Sequence, residues 1–135
     1  MSARLTLNEA VVTVLVAAVT ADGAVGPIEC DRLHVLLSSM PLFREVAPEQ
    51  LQRLVQNALD RVSHTAEDEL LPSCAAVIPG NLRASLYSLA VELVFVDGAI
   101  AESEKRFGNR LQRAFGIDDV TAMTMVEAAL IKTRA

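Results

Sequence analysis

Two stretches of this chain, 75 residues apart, carry the same pattern. Ala21-Asp22-Gly23-Ala24-Val25-Gly26-Pro27-Ile28-Glu29 lies over Val96-Asp97-Gly98-Ala99-Ile100-Ala101-Glu102-Ser103-Glu104, and both read Asp-Gly-Ala-(Val/Ile)-x-x-x-Glu. Each sits between two apolar segments with helical spacing, and Leu36 and Leu111 align further along. A chain built this way contains two helix–loop–helix units that share one acidic loop. Its fold must accommodate two matching halves.

The material between the loops is small and aliphatic. The 135 residues include 20 Ala, 18 Leu, 16 Val and 5 Ile, against four Phe, one Tyr and no Trp. Such a chain is too apolar for disorder and long enough to bury one core. Twelve basic and seventeen acidic residues leave a net charge of −5, which argues against nucleic acid or an anionic membrane surface as partner. The apolar run Ala10–Ala21 is too short to span a bilayer. Glu9 also spoils the positive flank a signal peptide needs, and Leu89–Val96 repeats the same apolar character inside the chain. Two cysteines, Cys30 and Cys74, fit a reducing cytoplasm.

Helix punctuation recurs along the chain. Thr6-x-x-Glu9 reads as a capping box opening a helix to about Ala21, which Asp22-Gly23 ends. Pro27 opens a second helix to about Ser39, and Met40-Pro41 breaks the chain. Pro48 opens a third helix carrying Leu51, Leu54, Val55, Ala58, Leu59 and Val62, and Thr65 is expected to cap a fourth that Pro72 kinks or divides. After the turn Ile78-Pro79-Gly80-Asn81, a fifth helix runs to Val96, with Leu82, Leu86, Leu89, Leu93 and Val96 opposite a polar stripe of Asn81, Ser85, Ser88 and Glu92. Asp97-Gly98 stops it, a sixth follows from about Glu102 to Phe115 before Gly116, and Asp118 or Asp119 caps a seventh reaching Lys132. No segment alternates as a half-buried strand would. The expected fold is therefore all-α: one domain over residues 1–135, with repeats around 7–40 and 82–116.

The loops admit two chemical readings. Asp22 and Asp97 stand at helix C-termini, where a carboxylate faces the negative end of the dipole and needs compensation. Hydrogen bonds to N–H groups of the turn and of the next helix would provide it, with Glu29 or Glu104 favouring the following N-terminus. A bound cation would provide it equally, since carboxylates are hard oxygen ligands. The pattern matches positions 5 to 12 of an EF-hand loop. Positions 1 and 3 would be Ala18 and Thr20 in one copy and Leu93 and Phe95 in the other, which excludes an ordinary EF-hand. A metal site here needs ligands from both copies, from Glu92, or from a partner.

The paired loops, the Ala- and Val-rich helices before them and the stretch from Leu82-Arg83 to Glu92 resemble the tellurite-resistance TerB family, over roughly Leu7 to Ile131. The same fold is shared with the N-terminal region of a membrane-anchored DnaJ-type co-chaperone. The resemblance implies a bundle of about seven helices in two pseudo-symmetric halves, in a cytoplasmic bacterial protein tied to metal or oxyanion stress. It also implies divalent cations at the acidic loops. The family's acidic positions fall on Asp22, Glu29, Asp97 and Glu104, with calcium, magnesium, manganese or zinc as the cation. Gly26-Pro27 and Ile28 replace residues usually acidic or polar, so the first loop is the less negative of the two.

Other constellations carry less. Cys30-x-x-x-His34 places two zinc-ligand types one turn apart, and His64 with Cys74 could complete four, but that second pair lacks ligand spacing. Arg106, Arg110 and Arg113 form a stripe that reads as a solvated face pairing with nearby acids. No phosphate loop or catalytic motif occurs. The chain is expected to be a non-enzymatic stress-response binding module with protein partners or a membrane-associated complex, and without direct membrane insertion. The alternative is an interaction scaffold whose loops only cap helices.

Overall fold

The computed structural model describes residues 5–21, 27–94 and 102–134, with side chains described at 5–21, 31–94 and 102–131. Among these residues there are seven α-helices and no strand: α1 (Leu7–Val19), α2 (Pro27–Ser39), α3 (Pro48–His64), α4 (Glu67–Ala75), α5 (Gly80–Val94), α6 (Glu102–Phe115) and α7 (Asp119–Arg134). A 3-10 turn, Pro41–Phe43, follows α2 and buries Phe43 in the core.

The helix that looked most like a leader or membrane segment is the centre of the bundle. Every residue from Ala10 to Ala18 is buried. A helix that is apolar on all sides can satisfy itself only inside other helices, and α1 packs against α2, α3, α4 and α5. No helix among the described residues is long and apolar enough to cross a membrane. The capping box at its start forms as expected: the Glu9 N–H donates to Thr6 Oγ1 at 3.1 Å, and the Thr6 N–H to Glu9 Oε1 at 2.9 Å. The helix ends at Val19, two residues before the expected Ala21, with the Thr20 hydroxyl donating to the Ala17 carbonyl at 3.2 Å.

Packing around α1 follows the two halves. A shift of 75 residues carries α1 onto α5 and α2 onto α6. The pairs α1–α2 and α1–α3 have counterparts in α5–α6 and α5–α7, and α1 and α5 pack on each other. The buried positions Val11, Val12, Leu15 and Val16 of α1 match Leu86, Tyr87, Ala90 and Val91 of α5 at that spacing. The second helices do not keep it. Leu33 and Leu37 of α2 are buried where Phe107 and Leu111 of α6 are, a spacing of 74, so Leu36 lies at the edge of the core while Leu111 is inside it.

Several local expectations shift by a residue or a face. Thr65 ends α3, and α4 starts from Ala66, whose carbonyl accepts from the Leu70 N–H at 2.9 Å. Pro72 is accommodated inside α4 without ending it. The core face of α5 centres on Leu86, Tyr87, Ala90, Val91 and Val94, leaving Leu82, Leu89 and Leu93 half-buried at its flanks. The C-terminus of α6 forms a Schellman turn: Gly116 has φ +67°, its N–H donates to the Arg113 carbonyl at 3.2 Å, and the Ile117 N–H donates to the Gln112 carbonyl at 3.0 Å. Asp118, the nearer of the two expected caps, receives the Thr121 N–H at 3.0 Å and the Thr121 hydroxyl at 2.6 Å, and these bonds hold its carboxyl below the usual carboxylate range.

Candidate functional site

The acidic loops lie largely outside the described residues. Asp22 and Asp97, with the glycines that follow them in sequence, fall there, as does the side chain of Glu29. What is placed is the backbone of the helices that leave each loop. Glu29 is the third residue of α2 and Glu104 the third residue of α6, so both matched glutamates occupy the first turn of their helix. An anionic side chain there meets the positive end of the helix dipole and the free N–H groups of the first turn. Glu104 is half-buried and engaged in interactions, and it lines a cavity of about 290 Å³ walled by α5, α6 and Val126 of α7. Glu92, the other acid considered as a ligand, is half-buried on α5 and likewise engaged.

Among the described residues no group of three or more His, Cys, Asp or Glu is placed to hold a metal ion. The alternative zinc set does not assemble from its described members. Cys74 is fully buried in α4, and burial pushes its thiol up to about 11, against which the Arg61 guanidinium pulls weakly. His64, in contrast, is exposed at the end of α3 with Nδ1 2.8 Å from the Asp60 carbonyl oxygen. The side chain of Cys30 lies outside the described residues.

Charged side chains elsewhere tie helices together. Arg61 on α3 reaches into α1, donating from Nη1 to Thr13 Oγ1 at 2.9 Å and from Nη2 to Glu9 Oε2 at 3.3 Å. Arg83 on α5 donates from Nη2 to the Ala75 carbonyl at 2.7 Å, which also accepts the Ile78 N–H at 3.3 Å, and from Nε to the Ile78 carbonyl at 3.0 Å, so its positive charge sits at the C-terminal end of α4. Arg110, in the arginine stripe of α6, bridges to α4 through Glu67 Oε2 at 2.9 Å and Asp68 Oδ1 at 3.3 Å. That contact gives the stripe a structural use at one of its three positions, while Arg106 and Arg113 remain exposed. The stripe is expected to pair with nearby acids, but the acid that Arg110 meets, Glu67, lies 43 residues earlier in the chain. The first two carry no local signal either, because the partners of Arg61 lie 48 and 52 residues away and those of Arg83 are backbone carbonyls.

No curated protein and no solved structure matches this chain at a significant level. The family model for tellurite resistance protein TerB matches residues 8–126, from the first turn of α1 to the middle of α7. That span takes in both acidic loops and all but the last turns of the helical framework, and the chain belongs to the TerB tellurite resistance family.

Proposed function

We propose that this member of a tellurite-resistance-associated family is a non-enzymatic, cytoplasmic stress-response module that binds a divalent cation through its two Asp-Gly loops. The ligands are Asp22 and Glu29 from one half and Asp97 and Glu104 from the other, within a single domain spanning residues 1–135. The observation that carries this reading is the matched placement of Glu29 and Glu104. Both stand in the first turn of the helix that follows an identical Asp-Gly-Ala sequence, so each half offers one carboxylate at the start of that segment and one after it. Carboxylates in that arrangement are hard ligands suited to calcium, magnesium or manganese, and zinc is the softer alternative.

A cation held between the turn and the start of the next helix would set how α2 leaves α1 and how α6 leaves α5. Cation status would thereby reach the outer helical faces, where a protein partner or membrane-associated complex would dock. The first loop, with Gly26-Pro27-Ile28, is the weaker of the two.

The second reading keeps the loops purely structural, and one observation favours it: Glu104 already sits where a first-turn acid stabilises a helix without any metal. Calorimetric titration with calcium, magnesium, manganese and zinc separates the two. The cation reading expects saturable binding tighter than about millimolar, abolished by Asp22→Asn with Asp97→Asn. Absence of binding, with partner capture intact in the same double variant, would leave the scaffold reading.

A further inference from the structure

The helices α6 and α7 each pack against α5 rather than closely against each other, which leaves a cleft with α5 as its floor. Its inner part is the cavity of about 290 Å³, walled by Val91, Val94, Phe107, Leu111 and Val126. An open depression of about 480 Å³ continues it toward α7, and the two share Tyr87, Asn109 and Val126. From Glu104 at one end to Gln112 at the other, the cleft follows two turns of α6.

Three features make this more than a packing gap. Gly108 sits in the middle of α6 at the cavity wall, with ordinary helical backbone, and a Cβ built on it meets nothing within 4 Å. A mid-helix glycine costs stability relative to alanine, and neither positive φ nor close packing accounts for this one. The outer depression ends on Met123, which is 63% exposed although apolar. Flexible, polarizable methionine suits a surface that accepts an apolar side chain. The described rim is predominantly acidic: Glu104 at one end and Asp119 and Glu127 at the other, with Lys105 beside Glu102 at 3.4 Å.

We infer that this cleft docks a basic amphipathic helix from a partner protein, seating one apolar side chain in the cavity beside Gly108 and a second against Met123, with Lys or Arg side chains facing Asp119 and Glu127. A helix laid on α5 between α6 and α7 would complete the bundle in the way helix-in-groove recognition does. The acidic rim and the net charge of −5 select for basic residues at its edges. This inference goes beyond cation binding and does not depend on it.

The test is an anisotropy titration of the full chain, in excess EDTA, with a fluorescein-labelled helical peptide of Leu and Lys at i, i+3, i+4 and i+7 spacing. A scrambled peptide of the same composition serves as comparison. Saturable binding is expected for the amphipathic peptide, weakened at least about tenfold by Gly108→Leu and by Glu127→Lys and unchanged by Val35→Lys on the far helix α2. Glu127 is exposed, so its variant carries the test if Gly108→Leu fails to fold. Equal binding of the scrambled peptide would overturn the inference, as would binding indifferent to Glu127→Lys or no saturation at all. Sedimentation showing that a second copy of the chain occupies the cleft would also overturn it.

Discussion

Arg61 of α3 and Thr13 of α1 meet at 2.9 Å, guanidinium donating to hydroxyl, and Thr13 is the one buried polar residue among those described. The Thr13 hydroxyl in turn donates to the Glu9 carbonyl at 2.7 Å, so both its donor and an acceptor site are used. Glu9 closes the figure, capping α1 with one carboxylate oxygen and pairing with Arg61 through the other. Removing Arg61 strips the buried oxygen of its cationic partner while leaving its donor bond. Arg61→Met is expected to cost about 1–2 kcal/mol in urea denaturation. In a double-mutant cycle with Thr13→Val, the two losses should be clearly less than additive, because they report one contact. Additive losses would contradict the pairing.

The Cys74 thiol, pushed up to about 11 by burial, links stability to alkaline pH. In the unfolded chain an unshielded thiol releases its proton near its ordinary pKa, whereas the folded chain keeps it. Stability from this group is therefore complete at neutral pH and falls as pH rises from the ordinary thiol range toward 11, by up to about 1.4 kcal/mol per pH unit. A Cys30→Ser background isolates Cys74, and adding Cys74→Ala should flatten the alkaline limb of the melting-temperature profile. In the same background, a thiol reagent at neutral pH should modify Cys74 only after urea unfolding.

The same substitution should have opposite signs at two glycines of the α6 region. Gly116 holds φ +67° in the Schellman turn, where a Cβ is strained, and Gly116→Ala should destabilise by about 1 kcal/mol. Gly108 is mid-helix with open space around it, and Gly108→Ala should stabilise by roughly 0.5–1 kcal/mol. Denaturation midpoints of the two variants check both signs at once.

Arg83 closes the C-terminal end of α4 from a helix that follows it in sequence. Arg83→Ala is expected to cost about 1–2 kcal/mol, and Arg83→Lys should recover only part of it, since one ammonium cannot reproduce the forked contact to the Ala75 and Ile78 carbonyls. Amide exchange should show faster opening at the end of α4 than elsewhere in the bundle.

Helix number and type were legible from local chemistry. The Thr6/Glu9 capping box, Pro48 at a first turn and Gly116 past a last turn all act within a few residues, and all three appear as the sequence implies. What depended on neighbouring helices was not legible. Thr65 has the right side chain for an N-cap, yet the chain enters α4 one residue later. Tyr87 and Ala90 face the core in place of Leu82, Leu89 and Leu93, because α5 is rotated by its packing on α1, α6 and α7, which no periodicity in α5 alone reports. The repeat marked the loops but not the change from 75 to 74 that turns α2 relative to α6. Of the candidate cation ligands, the matched positions are legible in the repeat, while Asp22, Asp97 and the side chain of Glu29 lie outside the described residues.

A cation shared by the two Asp-Gly loops, as proposed, is tested most directly by paramagnetic broadening with manganese in a two-dimensional amide NMR spectrum. Substoichiometric Mn²⁺ is expected to broaden the amides of Asp22–Gly26 and Asp97–Ala101 together, leaving α3 sharp, and magnesium or calcium in excess to restore them. Broadening confined to scattered surface carboxylates, or none at either loop, would contradict it.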